Sequence, residues 1–250
     1  MQNSVLVRRP IKRNVSFVNM KRVLFLCLIS FLGYAQTKPA AAPVKPARAA
    51  KYEVLYGSKP LSKADQKELN DFVASCDASF GSRAEAVTFF AERAWEYVAS
   101  ARLDTATHRF NLISALDPNS VDAFWGLGVI SYQRGDNDLA IRLLNKGLEL
   151  DSTQSMMRVD YAIVKLNCYQ QGQNCGTLDE VESELKHALA QDPKNANAWM
   201  KRSQVAYYKE NYELAWTYFH EARMADILQL DLNFGSLLVA KMPDPKGIFK

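Results

Sequence analysis

Cys168 and Cys175 bracket the polar run Tyr169-Gln170-Gln171-Gly172-Gln173-Asn174, and of all the residues in the 250-residue chain this pair is the best spaced for covalent chemistry. Thiols at the facing ends of a helical hairpin are natural disulfide partners in an oxidising compartment. Closing so short a loop stabilises by roughly 2 to 3 kcal/mol on the chain-entropy account. The alternative is two separate thiols. A zinc site is poorly supported, because two sulfurs without a neighbouring His leave half of a tetrahedron empty. Cys76 then stays unpaired and is read as a core thiol. His108, His187 and His220 have no partner at metal or catalytic spacing, so packing or surface roles are the default. No glycine-rich phosphate loop, Gly-x-Ser-x-Gly or His-Glu-x-x-His is present, and Glu182 with Glu184 reads as a solvated helix face. The expectation is a protein that is not an enzyme and needs no cofactor and no metal.

The compartment is read from the amino terminus. Met20-Lys21-Arg22 precedes the apolar run 23–32 and the exit Gly33-Tyr34-Ala35-Gln36. This is the order of a secretory signal, with translation expected to start at Met20 and cleavage after Ala35. The run is shorter than the ~20 apolar residues that span a bilayer. The alternative is an uncleaved anchor in the inner membrane, and membrane contact is expected only through this segment. Residues 36–51 contain three prolines and one large aliphatic residue, Val44, and read as an extended tether. Export to the periplasm or beyond is therefore expected.

Charge separates along the same boundary. Of the 31 Lys and Arg, ten lie before residue 52 with no acid among them, so 21 face all 27 Asp and Glu from there on, a balance of -6. An acidic folded part argues against a nucleic-acid partner, which needs surplus cations to displace counterions from phosphates.

From residue 87 the sequence repeats. Phe90, Ala94, Tyr97, Ala106, Phe110 and Leu116 recur 34 residues later as Phe124, Gly128, Ser131, Ala140, Leu144 and Leu150. Small residues recur where two helices must approach, and large apolar residues lie on the same faces, which is the pattern of antiparallel helix pairs. Units are expected at 87–120, 121–154, 155–195 with seven inserted residues, and 196–225. In a stacked array the end units need covering. Leu69, Phe72, Val73 and Cys76 after Ser62 predict a capping helix over about 63–77 within 52–86. The apolar segment 226–241 is expected to close the other end, interrupted at Gly235, with Phe249 of the tail docking back. Ser82 with Glu85 and Thr177 with Glu180 predict capping boxes.

These residues resemble the tetratricopeptide-repeat family, whose 34-residue pattern places an aromatic at position four, small residues at eight and twenty, and an aromatic or Leu at twenty-four. Residues 121–154 match best, through Phe124, Gly128, Ala140 and Leu144; the unit from Ala196 offers Trp199, Ser203, Ala215 and Phe219. The resemblance covers about 140 residues. It implies an all-α, right-handed α-solenoid of about four helix hairpins with helical end caps.

It also implies that first-helix positions 2, 5, 9, 12 and 13 line a concave groove. Carried onto this sequence, the partner-binding candidates are Trp95 and Val98, then Trp125, Val129 and Tyr132, then Met156 and Ile163, and finally Asn197, Met200, Gln204, Tyr207 and Tyr208. The full set of those positions contains no Lys or Arg. The carboxylate clamp of chaperone-binding family members is therefore not expected. The resemblance implies a scaffold that holds another protein or peptide, with Trp95, Trp125, Tyr132, Tyr207 and Tyr208 as anchors. The alternative is a structural or accessory subunit of an envelope complex whose groove is filled by residues 226–250 of its own chain.

Overall fold

The computed structural model describes residues 48–250. The expected signal segment and almost all of the expected tether lie outside the described residues. Among the described residues the regular structure is helical throughout, with α1 Lys63–Ser79, α2 Arg83–Ala99, α3 Leu103–Leu116, α4 Val121–Gln133, α5 Asn137–Leu150, α6 Ser155–Gln170, α7 Leu178–Gln191, α8 Ala196–Tyr208, α9 Tyr212–Ala225 and α10 Leu232–Lys241. None of these helices is long and apolar enough to cross a membrane.

Local sequence sets where the helices begin. Ser62, Ser82, Ser120, Asp136, Thr177, Asn195, Asn211 and Asp231 each accept the N–H three residues on, satisfying a donor the helix leaves open. Thr177 and Glu180 form the full reciprocal box. Glu85 instead reaches the N–H of Gly81, one residue before the cap. Gly135, at φ +86°, turns the chain between α4 and α5.

The helices pair as α2 with α3, α4 with α5, α6 with α7 and α8 with α9, and α3, α5 and α7 each pack on the first helix of the next pair. Phe110, Leu144, Leu185 and Phe219 are fully buried against Ala94, Ala106, Ala140, Ala162, Ala188 and Ala215. Alanine and glycine at these places let backbones approach while the large side chains fill the layer between. This is an α-solenoid.

Gly235 does not interrupt α10. It is buried within the helix, where a Cβ would lie 3.0 Å from the Phe219 ring. Phe110 meets Gly126 of α4 in the same way, and both contacts span sixteen residues of sequence. The α10 helix therefore occupies the place of a further first helix, in register 34 residues after α8. At this end Phe234 and Leu238 are buried, whereas Met224, Ile227, Leu228, Leu232 and Leu237 stay exposed.

The described chain is also held at both ends by buried polar clamps. At the start, Asn111 of α3 donates to the carbonyls of Lys51 and Glu53 and accepts from the N–H of Leu55. These bonds hold Leu55 and Tyr56 in the left-handed region, at φ 48° and 57°, a conformation costing roughly 1–2 kcal/mol per residue. Replacing Asn111 with Ala strands three backbone groups, so we expect a loss of about 2 to 4 kcal/mol in urea unfolding and faster proteolytic cleavage between residues 50 and 60. Unchanged stability and cleavage would show that the segment is held by something else. At the other end the tail 242–250 packs on α9, with Phe249 stacked on Trp216 and edge-on to Phe219.

Candidate functional site

The first helices of the pairs, α2, α4, α6 and α8, stand side by side and form the inner face of the solenoid. On it Trp95 of α2 and Trp125 of α4 meet edge to face with ring centroids 5.1 Å apart, and Trp95 is backed by Phe110 at 5.3 Å. Both indoles are half-buried, leaving surface for a partner. Gly126 permits this placement: a Cβ there would sit 2.1 Å from Phe110 Cζ.

Each tryptophan also acts on a carboxylate of the next first helix. Trp125 Nε1 donates to Asp160 Oδ2 of α6 at 2.7 Å, and Trp95 pulls the Asp122 carboxyl of α4 down against its burial. Burial pushes the Asp160 carboxyl up to about 6, with the indole bond pulling the other way; burial likewise raises Asp122 against the bond from Trp95. Tyr132 joins them, its phenol raised by burial and by the nearby charge of Asp160. The cations of α6 point elsewhere, Arg158 to Glu184 and Lys165 to Glu180, both on α7.

The structure divides the other sequence candidates. Val129 and Met156 are half-buried, Asn197 is half-buried at the start of α8, and Tyr208 is exposed at its end. Tyr207 is partly covered, with Phe234 of α10 at 5.4 Å and Tyr212 at 5.6 Å. Val98, Ile163, Met200 and Gln204, expected to line the groove, are buried to 8% exposure or less and belong to the core instead. Neighbouring first helices pack so closely that these positions face the adjoining helices: Val98 joins the layer with Phe110, Ile163 that with Leu185, and Met200 that with Phe219. Gln204 is spent on a bond from the Lys201 ammonium.

Asp160 was not among the candidates, because it sits one position outside the inner-face register. A lone carboxylate within the apolar run Val159-Asp160-Tyr161-Ala162-Ile163-Val164 was the signal that could have found it.

Away from this face, Cys168 and Cys175 are drawn together as a disulfide with Cα atoms 5.9 Å apart. Asn137 Nδ2 donates to Gln171 and Gln173 of the same loop, anchoring it to α5. Cys76 is buried. Among the described residues no group of three or more His, Cys, Asp or Glu is gathered to hold a metal ion.

The fold and this face together define a class, a helical-hairpin solenoid with an aromatic inner surface. Residues 91–155 match the model of the tetratricopeptide-repeat family. No curated protein sequence matches the chain. Among solved structures, PilF of Pseudomonas aeruginosa is similar at 19% identity over 64% of this chain and 67% of that one, with a TM-score of 0.53. MamA of Desulfovibrio magneticus RS-1, from residue 41 to its end, is similar at 16% identity over 67% and 90%, with a TM-score of 0.51. At these identities the likeness is one of fold. The fold is that of a protein-interaction scaffold, whose stacked helices offer a broad curved surface.

Proposed function

We propose that the protein is a non-catalytic scaffold of the cell envelope that holds a partner protein or peptide on the inner face of α2, α4 and α6. The observation that carries this is the half-exposed pair Trp95 and Trp125 on adjacent first helices. Aromatic anchors of this kind carry a large share of binding energy at interfaces. The envelope location is supported by the signal-like order of residues 20–36 and by the paired Cys168 and Cys175, which suit an oxidising compartment.

The alternative of a self-filled groove is supported only at the carboxyl end, where Phe234 covers Tyr207. The tail itself packs on α9, a second helix, and leaves the tryptophans uncovered. The test is affinity capture from the envelope fraction of the native cells with the wild-type chain and with Trp125→Ala. Partner recovery is expected to fall at least tenfold for the variant, at unchanged helical circular dichroism. Full recovery by a folded Trp125→Ala protein would remove the inner face from the account.

A further inference from the structure

Among the described residues, two carboxylates beside aromatic rings are matched by a cation. Arg202 lies 4.0 Å from the Tyr218 ring and 5.2 Å from that of Trp199, and donates to Glu182. Lys165 lies 5.3 Å from the Tyr161 ring and pairs with Glu180 at 2.9 Å. On the inner face the same ingredients recur without the cation. Asp160 sits beside Trp125 and Tyr132, Asp122 beside Trp95, and among the described residues neither carboxylate makes an ion pair.

A half-buried carboxylate that receives one indole N–H is poorly compensated, since water is partly excluded and no opposite charge replaces it. The ring faces beside it attract cations through their quadrupoles. Lys or Arg with an apolar stem meets both requirements, laying its methylenes on the indoles and its charged head at the carboxylate. An acidic or carboxyl-terminal ligand would meet repulsion at the same place.

We infer that the inner face between α2, α4 and α6 takes a peptide segment carrying a Lys or Arg side chain, seated between Trp125 and Tyr132 with its charge on Asp160. This rests on the proposed binding face and adds the chemistry of the residue it recognises. Asp160 is the specificity group, Asp122 supplies the same sign of field one helix away, and the tryptophans supply the apolar walls.

The test is a randomised nonapeptide library selected on the full chain, followed by calorimetry of the selected peptides. They are expected to share one Lys or Arg flanked by apolar residues. Replacing that residue with norleucine should weaken binding about tenfold to the wild-type protein and less than twofold to Asp160→Asn, a double-mutant cycle that isolates the pair. Asn at 160 keeps an acceptor for the Trp125 indole, and the thermal midpoint of each protein checks that the fold survives. Selected peptides that lack a cation yet depend on Trp125 would overturn the cation while keeping the face. Peptides indifferent to Trp125→Ala would overturn the face as well. Binding that appears only after residues 1–47 are removed would assign the site to the chain's own basic amino-terminal segment and overturn a partner as occupant.

Discussion

Gly126→Ala is expected to lower the stability of the protein by about 2 to 3 kcal/mol, although in an exposed helix the same change would stabilise by about 1 kcal/mol. The added Cβ would fall 2.1 to 2.4 Å from three carbons of the Phe110 ring. That ring is fully buried and pinned by Trp95, so it cannot swing aside cheaply. Gly128→Ala is the control. Its Cβ would meet the Leu144 side chain at 2.7 Å, but Ala94, Ala162 and Ser203 already carry a Cβ at the corresponding place in the other units, all fully buried. The control should cost under about 1 kcal/mol. Urea unfolding of both variants measures the difference, and tryptophan fluorescence should report a displaced Trp95 in the first alone. Equal effects would mean that Phe110 does not fix the spacing of α3 and α4.

The second large effect is expected at Asp244, whose side chain is fully buried. Oδ1 accepts from the N–H of Lys246 and lies 2.8 Å from His220 Nε2, while Oδ2 accepts from the N–H groups of Ile248 and Phe249. Burial by itself raises this carboxyl, but the backbone donors of Phe249 and Lys246, then His220 and Ile248, outweigh it and hold the carboxyl down at about 2. A carboxyl with a lowered folded pKa lends stability that is fully present above the unfolded value near 4 and is lost as the pH falls toward 2, about 2 kcal/mol here. Asp244→Ala should therefore cost at least that much at pH 7, loosen the tail, and expose Trp216, whose indole donates to the Met242 carbonyl. The gap between wild type and variant in urea unfolding should narrow between pH 4 and pH 2. A gap that stays constant over that range would show that the carboxylate charge is not what fastens the tail.

How much of this could be read from the sequence differs by element. The hairpins were legible because their signals are local or periodic: caps at Ser62, Ser82 and Thr177, small residues at a spacing of 34, and an apolar stripe on each face. The cap at α1 was legible for the same reason and runs two residues further than expected, to Ser79. The role of Gly235 was not, because a glycine inside an apolar run looks like a break until the Phe219 ring is seen pressing on it. The inner face was half legible. The register singled out Trp95, Trp125 and Tyr132, yet it placed Met200 and Gln204 there too, and passed over Asp160.

The sequence by itself determined the helices, their pairing and their repeat, since hydrogen bonds within a helix and contacts between neighbours in the chain depend on residues close together in number. Only the tertiary structure decided which inner-face side chains remain available, where the two ends are fastened, and that two carboxylates face the tryptophans without a cation. Those outcomes depend on how closely successive first helices approach, and that distance is set by side chains from different units meeting in space, such as Phe110 on Gly126 and Phe234 on Tyr207.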